Sequence, residues 1–409
     1  MDRLRRNGAM MMMLLLLRTL LKRSTLLAVT TAVTWAVVPP ISVGAYRLVP
    51  LAHLTGAAQV AYTLTALTAP GFRVAAPLAE NNAGVVVGRL TRPSVVEGFA
   101  YIGGRVRPLG EPPGWPESEA AGISGTDLVL VDAWRAHAGT EALFIRRLTG
   151  GPHVWRKLGM GALGGSIQSV GSMASNGIVA ATITTGTVVK HGRLTGAVWL
   201  PGRDSSYGSA MRLPFGPPYR ASTVDAIWSG GARVIVAGCV ITGNSPVCPA
   251  LWTRIGTGHF VGDFSADAGP VNAIGGWGRH VFIAGATGGY DYSGGWATRL
   301  TLGQRQSAAL GRDLPLQGPY FAHSLFWGLT SVSAGAHGRF VAVGSAGGDT
   351  PSIDGLLWHG AHIENLRNAL PVGTTWRPEH PVAINLHGQI TGYGHLNGRP
   401  AGFILRPSQ

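Results

Sequence analysis

"AINLHGQITGYGHLNGRPAGFIL", residues 383–405, spreads Gly388, Gly392, Gly394, Gly398 and Gly402 among apolar side chains. A loop would hold fewer branched and aromatic residues, so the stretch reads as short strands punctuated by turns. "VAIN" is followed by the turn "LHG", then "QITGYGH", the turn "LNGR" and "PAGFILR". Gly and Asn at the turn positions supply the positive φ that tight hairpins need. The result is a three-stranded meander.

The same grammar recurs upstream. "LAENNAGVVVGRL" (78–90) leads to "EGFAYIGGRVRPLG" (97–110), and "AAGISGTDLVLVD" (120–132) leads to "EALFIRRLTGG" (141–151). "VGSMASNGIVAAT" (170–182) precedes "GAVWLPGR" (196–203), and "VDAIWSGGARVIVAG" (224–238) precedes "PALWTRIGTG" (249–258). "VNAIGGWGRHVFIAG" (271–285) with "GWATRLTLG" (295–303), and "LTSVSAGAHGRFVAVG" (329–344) with "GLLWHGAHIENL" (355–366), complete the series before the opening stretch. The period is about fifty residues, in the range of propeller repeats. One position is bulky in most units: Tyr101, Phe144, Trp199, Trp252 and Trp358, with Leu405 in the last and Thr298 beside Trp296 in the fifth. Repeated small sheets must bury their faces on their neighbours, which asks for a large side chain at a fixed place.

These features predict an all-β, seven-bladed β-propeller of four-stranded antiparallel blades. The last unit shows only three strands. "YTLTAL" (62–67) is a strand without a local partner. Pairing 62–67 beside 403–406 would close the ring and remove a free sheet edge. The domain plan is therefore a signal peptide or N-terminal membrane anchor over 1–45, a linker over 46–61, and seven repeats over 62–409.

Composition agrees with a folded β protein. Glycine (61) and proline (26) are abundant in 409 residues, yet hydrophobic residues make up 45%, which a disordered chain would lack. The net charge is +14, of which the leader "MDRLRRNGAMMMMLLLLRTLLKRS" holds +5. The other arginines are spread without a run, so the charge does not read as a nucleic-acid footprint. "TLLAVTTAVTWAVV" (25–38) is uncharged and has the length of a signal h-region; "VGA" (43–45) offers small residues for cleavage after Ala45. An uncleaved anchor is the alternative, and both place the rest outside the cytoplasm. Cys239 and Cys248 flank the turn "TGNSP". A hairpin there would face them across two strands, and an oxidising compartment would join them as a disulfide.

The units resemble the bacterial HAF-type extracellular repeat, which runs roughly A-x-x-I-N-x-x-G-Q-V-V-G, then H-A-F-L-W-x-x-G. The likeness is closest at Ala383, Ile384, Asn385, Gly388, Gln389, Ile390 and Gly392, and in "DGLLWHGAHIENL" and "EGFAYIGGRVRPLG". It covers most of 62–407 and is degenerate in units two to five. It implies an exported propeller-like protein and brings no catalytic motif.

Several motifs are weighed against plainer readings. "GMGALG" (159–164) spells a phosphate-cradling pattern but lacks a helical period after it. "SIDGLLW" (352–358) is one residue short of the Asp-box of sialidase propellers. "HGAH" (359–362) has no third metal ligand in sight. "EPPGWPESE" (111–119) reads as a connector between blades one and two. In "GGYDYSGGWATR" (288–299), Tyr290, Asp291, Tyr292 and Trp296 could stack on a sugar or grip a peptide from a hairpin tip. No catalytic residue, metal site or cofactor is expected. The function expected is an exported binding module for a protein or a polysaccharide, acting as a monomer. Nucleic acid is not an expected partner, and membrane contact is expected only through an uncleaved N-terminal segment. The alternative is a glycan-active hydrolase or lyase with its site at the central channel.

Overall fold

The computed structural model describes residues 61–408 except 136–139, 150–153, 186–192, 203–205, 216, 232, 243–244, 255–258, 262–270, 278–279, 287–294, 302–323, 334–339, 349–352 and 360–361. The expectations for residues 1–60 lie outside the described residues. Strand β1 is Tyr62–Leu67. The first sheet holds β2 (Val74–Glu80), β3 (Val86–Arg92), β4 (Val95–Ile102) and β5 (Arg105–Pro108). The next holds β6 (Glu117–Ile123), β7 (Leu128–Arg135), β8 (Thr140–Arg147) and β9 (Arg156–Lys157). Then come β10 (Ser166–Met173), β11 (Val179–Thr185), β12 (Arg193–Trp199) and β13 (Met211–Arg212), followed by β14 (Ala221–Gly230), β15 (Arg233–Thr242), β16 (Ser245–Arg254) and β17 (His259–Val261). A sheet of β18 (Val271–Trp277), β19 (His280–Ala286) and β20 (Gly295–Thr301) is followed by β21 (Ser324–Ser333), β22 (Val341–Gly348), β23 (Ile353–His359) and β24 (His362–Asn365). The last sheet is β25 (Trp376–Ile384), β26 (Ile390–Leu396) and β27 (Arg399–Pro407), with β1 as its outer strand.

The fold is thus an all-β propeller of four-stranded antiparallel blades, but among the described residues it has six of them and not the expected seven. The unit at 271–301 overturns that count, because among the described residues it forms a sheet of only three strands, β18–β20. The expected closure is present. β1 pairs antiparallel with β27 from Tyr62↔Pro407 to Leu67↔Gly402. The first strand of each sheet touches the first strand of the next, and β25 touches β2, so the inner strands form a closed ring.

Each inner strand is bulged at an equivalent place: between Pro77 and Ala79, Ala120 and Gly122, Val224 and Ala226, Leu329 and Ser331, and Pro381 and Ala383 among others. A bulge brings two residues against one and pushes the backbone toward the partner strand. This explains a glycine of the opening stretch. Gly392 lies opposite Pro381, and a Cβ there would overlap the His380 carbonyl. Gly88, Gly238 and Gly344 meet the same crowding in their own sheets. Gly402 has a different reason: it lies on the third strand, and a Cβ would strike Ala75 of the neighbouring blade.

The core is divided among the blade junctions. One buried cluster joins Leu130, Leu143 and Ile145 to Ile183 and Trp199, and another joins Val198, Leu213 and Val224 to Val236 and Trp252. Trp199, Trp252 and Trp358 are fully buried, as the recurrent bulky position required. Two of them anchor a connector as well: Trp199 Nε1 donates to Gly159 O (2.8 Å) and Trp252 Nε1 donates to Pro214 O (2.8 Å). A disulfide joins Cys239 and Cys248 across β15 and β16, where the ladder shifts register.

A polar relay runs along the turns that follow the inner strands. Asn385 Oδ1 accepts from the backbone N–H groups of His387 and Gln389, which forms its own turn. Its Nδ2 donates to Asn81 O in the next blade (3.3 Å). Asn81 repeats the pattern, accepting from Ala83 and Val85 and donating to Ser124 O (3.0 Å). Ser124 Oγ accepts from Thr126 and Leu128, Gly125 N donates to Ser175 O, and Ser175 Oγ meets Ser229 Oγ at 2.9 Å. Asn and Ser suit this because their short side chains replace a backbone acceptor within the turn.

Candidate functional site

β25 carries two prolines, Pro378 and Pro381. An interior strand would not accept them, but β25 is the inner edge of its sheet, so one side of its backbone has no ladder to lose. Between them a second bulge, from Arg377 to His380, re-aims the chain. It sets His380 opposite Tyr393 on β26, and the two rings stack with centroids 4.6 Å apart and planes 27° from parallel. Glu379 Oε2 lies 2.8 Å from Nδ1 of His395, also on β26. The carboxylate assigns the proton to that nitrogen, so Nδ1 donates. The His395 side chain is 42% exposed, whereas Glu379 is 14% exposed, so the imidazole is the outward member of the pair.

The next blades add charge. Arg89 on β3 lies 3.6 Å from Glu119 on β6. Glu119 sits directly across from Asp132 on β7, a pairing of like charges that a nearby guanidinium relieves. Arg89 is also close enough to Tyr393 to oppose the rise in its pKa, which burial causes. Burial lowers the pKa of His380, with Glu379 working against the shift and His395 adding to it. The ring is thus held neutral at pH 7. The arrangement offers a flat aromatic and imidazole surface, a neutral ring nitrogen, a carboxylate–imidazole pair and a guanidinium. Such a set can hydrogen-bond hydroxyl and amide groups while a ring or peptide face lies on the stack.

A second polar group lies past the opposite end of β25, where the ring closes. Glu80 ends β2. Its Oε2 accepts from Gln389 Nε2 (2.9 Å), Gln389 Oε1 accepts from Arg406 Nε (2.9 Å), and Arg406 reaches Thr65 Oγ1 (3.4 Å). Strands β1, β2 and β27 and the turn before β26 meet in this chain of side chains, which reads as a seam between first and last blades.

None of these residues was among the candidate site residues picked from the sequence. Tyr290, Asp291 and Tyr292 lie outside the described residues. Trp296 is on β20, opposite Gly285. "GMGALG" forms a single 3-10 turn at Gly161–Leu163 and runs into β10, not into a helix. His359 and His362 face each other across β23 and β24, and among the described residues no three His, Cys, Asp or Glu side chains are placed to hold a metal ion. "EPPGWPESE" is a connector only as far as Pro116; Glu117–Glu119 open β6. Sequence reasoning missed Glu119 for that reason, and missed Glu379 and His380 because the prolines concealed a strand. A signal was present in the alternation of Trp376, Pro378 and His380 ahead of "VAIN".

No family profile and no curated protein sequence matches the chain. Solved structures do. The β-propeller domain of the trilobed protease from Pyrococcus furiosus, described as having an open velcro topology, is similar with a TM-score of 0.51 and 8% identity, over 84% of this chain and 95% of that one. An acylaminoacyl peptidase from Pyrococcus horikoshii matches with a TM-score of 0.47 and 10% identity over 85% of this chain and 52% of its own. A sialidase from Trypanosoma rangeli matches with a TM-score of 0.42 and 10% identity over 75% and 56%. At such identities the likeness concerns fold alone. The chain is a β-propeller, by its own sheet topology and by its likeness to a known propeller domain.

Proposed function

We propose that the chain is an exported propeller of the HAF type that binds a polysaccharide or a protein, with the cluster on β25 and β26 as its ligand site. The observation that carries this reading is the stack of His380 on Tyr393 beside the Glu379–His395 pair, with Arg89 and Glu119 from the neighbouring blades. A rigid ring that brings side chains from three sheets together is a suitable frame for recognition. The Cys239–Cys248 disulfide is compatible with export. The hairpin tip of Tyr290, Asp291, Tyr292 and Trp296 is a second contact surface in this proposal.

The test is a screen of the purified full chain against polysaccharides and against envelope proteins by biolayer interferometry. His395→Gln and Arg89→Gln should each weaken the binding found, and Tyr290→Ala with Tyr292→Ala should weaken it if the tip takes part. Binding that survives His395→Gln and Arg89→Gln unchanged would remove the inner-strand site from the account. A second reading, cleavage of a glycan, draws on the Glu379–His395 pair as an acid–base couple. It requires new reducing ends or unsaturated products from the glycan that binds, and their loss in Glu379→Gln.

A further inference from the structure

The connector from β5 to β6, residues 109–116, gathers cations that the sequence keeps apart. Trp115 is 9% exposed and packs edge-on against Phe144 on β8. The Arg135 guanidinium lies 4.8 Å from the centre of its ring, and Lys157 Nζ lies 5.4 Å from the same centre. Arg135 Nε also donates to Gly114 O at 2.7 Å. Arg146 lies 4.9 Å from the centre of Trp155, which stands edge-on to Phe144 in turn. Just before the connector, β5 adds Arg105 and Arg107, both exposed.

These cations differ from ordinary surface charges in one respect. Among the described residues, none of Arg105, Arg107, Arg135, Arg146 and Lys157 is paired with a carboxylate. Three of them are held by indole faces instead. A cation–π contact fixes a long side chain without cancelling its charge. Two of the carboxylates nearby are engaged elsewhere: Glu97 accepts from Gly110 N, and Asp127 accepts from Thr149. Glu111, on the connector itself, is exposed. Charge on the outer strands β5 and β9 would guard a sheet edge. Edge protection explains Arg105 and Arg107 but does not require cations laid over tryptophan rings.

We propose that this connector, with β5 and β9, is a docking surface for an acidic, carboxylate-bearing polysaccharide. A pre-ordered row of unneutralised cations loses little side-chain entropy when a polyanion settles on it. Guanidinium groups also match carboxylates geometrically. A single-stranded nucleic acid fits less well, since it needs free aromatic faces for its bases. The ring of Trp115 is enclosed, with cations over it.

Polygalacturonate is the probe, with the full chain and a series of sodium chloride concentrations. The wild type should bind it with an affinity that falls as salt rises, and should ignore dextran. The triple variant Arg105→Gln, Arg107→Gln, Lys157→Gln changes exposed strand residues only, and should weaken binding about tenfold or more with a shallower salt dependence. Glu111→Gln should tighten it. Arg193→Gln, which removes an exposed arginine of β12 that belongs to neither surface, should leave it unchanged, so a loss confined to the triple variant is not a matter of net charge alone. Absence of binding by the wild type, unchanged affinity in the triple variant, or tighter binding to single-stranded DNA or phosphatidylserine vesicles would overturn the proposal.

Discussion

Replacing Glu80 with glutamine should make the propeller more stable at neutral pH and leave it unchanged in acid. The stem of Glu80 is partly accessible, but its carboxylate end is enclosed, and Oε1 has no hydrogen-bond partner among the described residues. Burial raises its pKa from 4.5 to about 8, while Gln389, the backbone at Asn385 and Arg406 pull in the opposite direction. The folded chain therefore keeps the proton over a range in which the unfolded chain has released it. Stability is full below pH 4.5, falls as pH rises toward about 8, and is level beyond that. At pH 7 the loss is about 3 kcal/mol, from roughly 2.5 pH units at about 1.4 kcal/mol each. Glutamine keeps an oxygen for Gln389 Nε2 and cannot ionise. Glu80→Gln should thus gain about 3 kcal/mol at pH 7, which for a domain of this size is roughly 4 °C in Tm. Thermal unfolding of both proteins at intervals from pH 4 to pH 8 measures it. Parallel profiles, or a variant less stable than the wild type at pH 7, would show that the carboxyl is not buried in this way.

Other outcomes follow from the packing. Trp252→Ala should cost about 3–5 kcal/mol in urea unfolding, and Trp252→Phe less, although it still strands the Pro214 carbonyl. Gly402→Ala should destabilise by about 1–3 kcal/mol, since the new Cβ meets the Ala75 carbonyl of the adjoining blade. Cys239→Ser with Cys248→Ser should lower stability by about 2–3 kcal/mol, and dithiothreitol should lower the wild type equally while leaving the double variant unmoved.

The blade architecture was legible because it rests on local signals. Glycine and asparagine mark turns within a few residues, and a bulky position recurs in most units. The pairing of 62–67 with the C-terminal strand was legible for another reason: an orphan strand and a missing strand imply each other. The blade count failed at 271–301, where a unit of similar spelling shows only three strands among the described residues. The candidate site was not legible. Arg89, Glu119, Glu379, His380, Tyr393 and His395 belong to two ends of the chain, and only ring closure makes them neighbours. Two of them also sit on β25, whose prolines disfavour a strand. That preference holds within a ladder and lapses at an inner edge, where no partner strand needs the missing N–H.

The pairing of β1 with β27 also places the two ends of the ring side by side. Tyr62 stands opposite Pro407, and Ser408 N donates to Ala61 O at 2.7 Å. A short peptide could join these ends without bending either strand, and the chain could then be opened in any exposed hairpin. Such circular permutants would hold every blade contact while moving the covalent break around the ring. They would separate what the seam contributes as a hydrogen-bonded join from what it contributes as the one covalent gap between neighbouring strands of the last sheet.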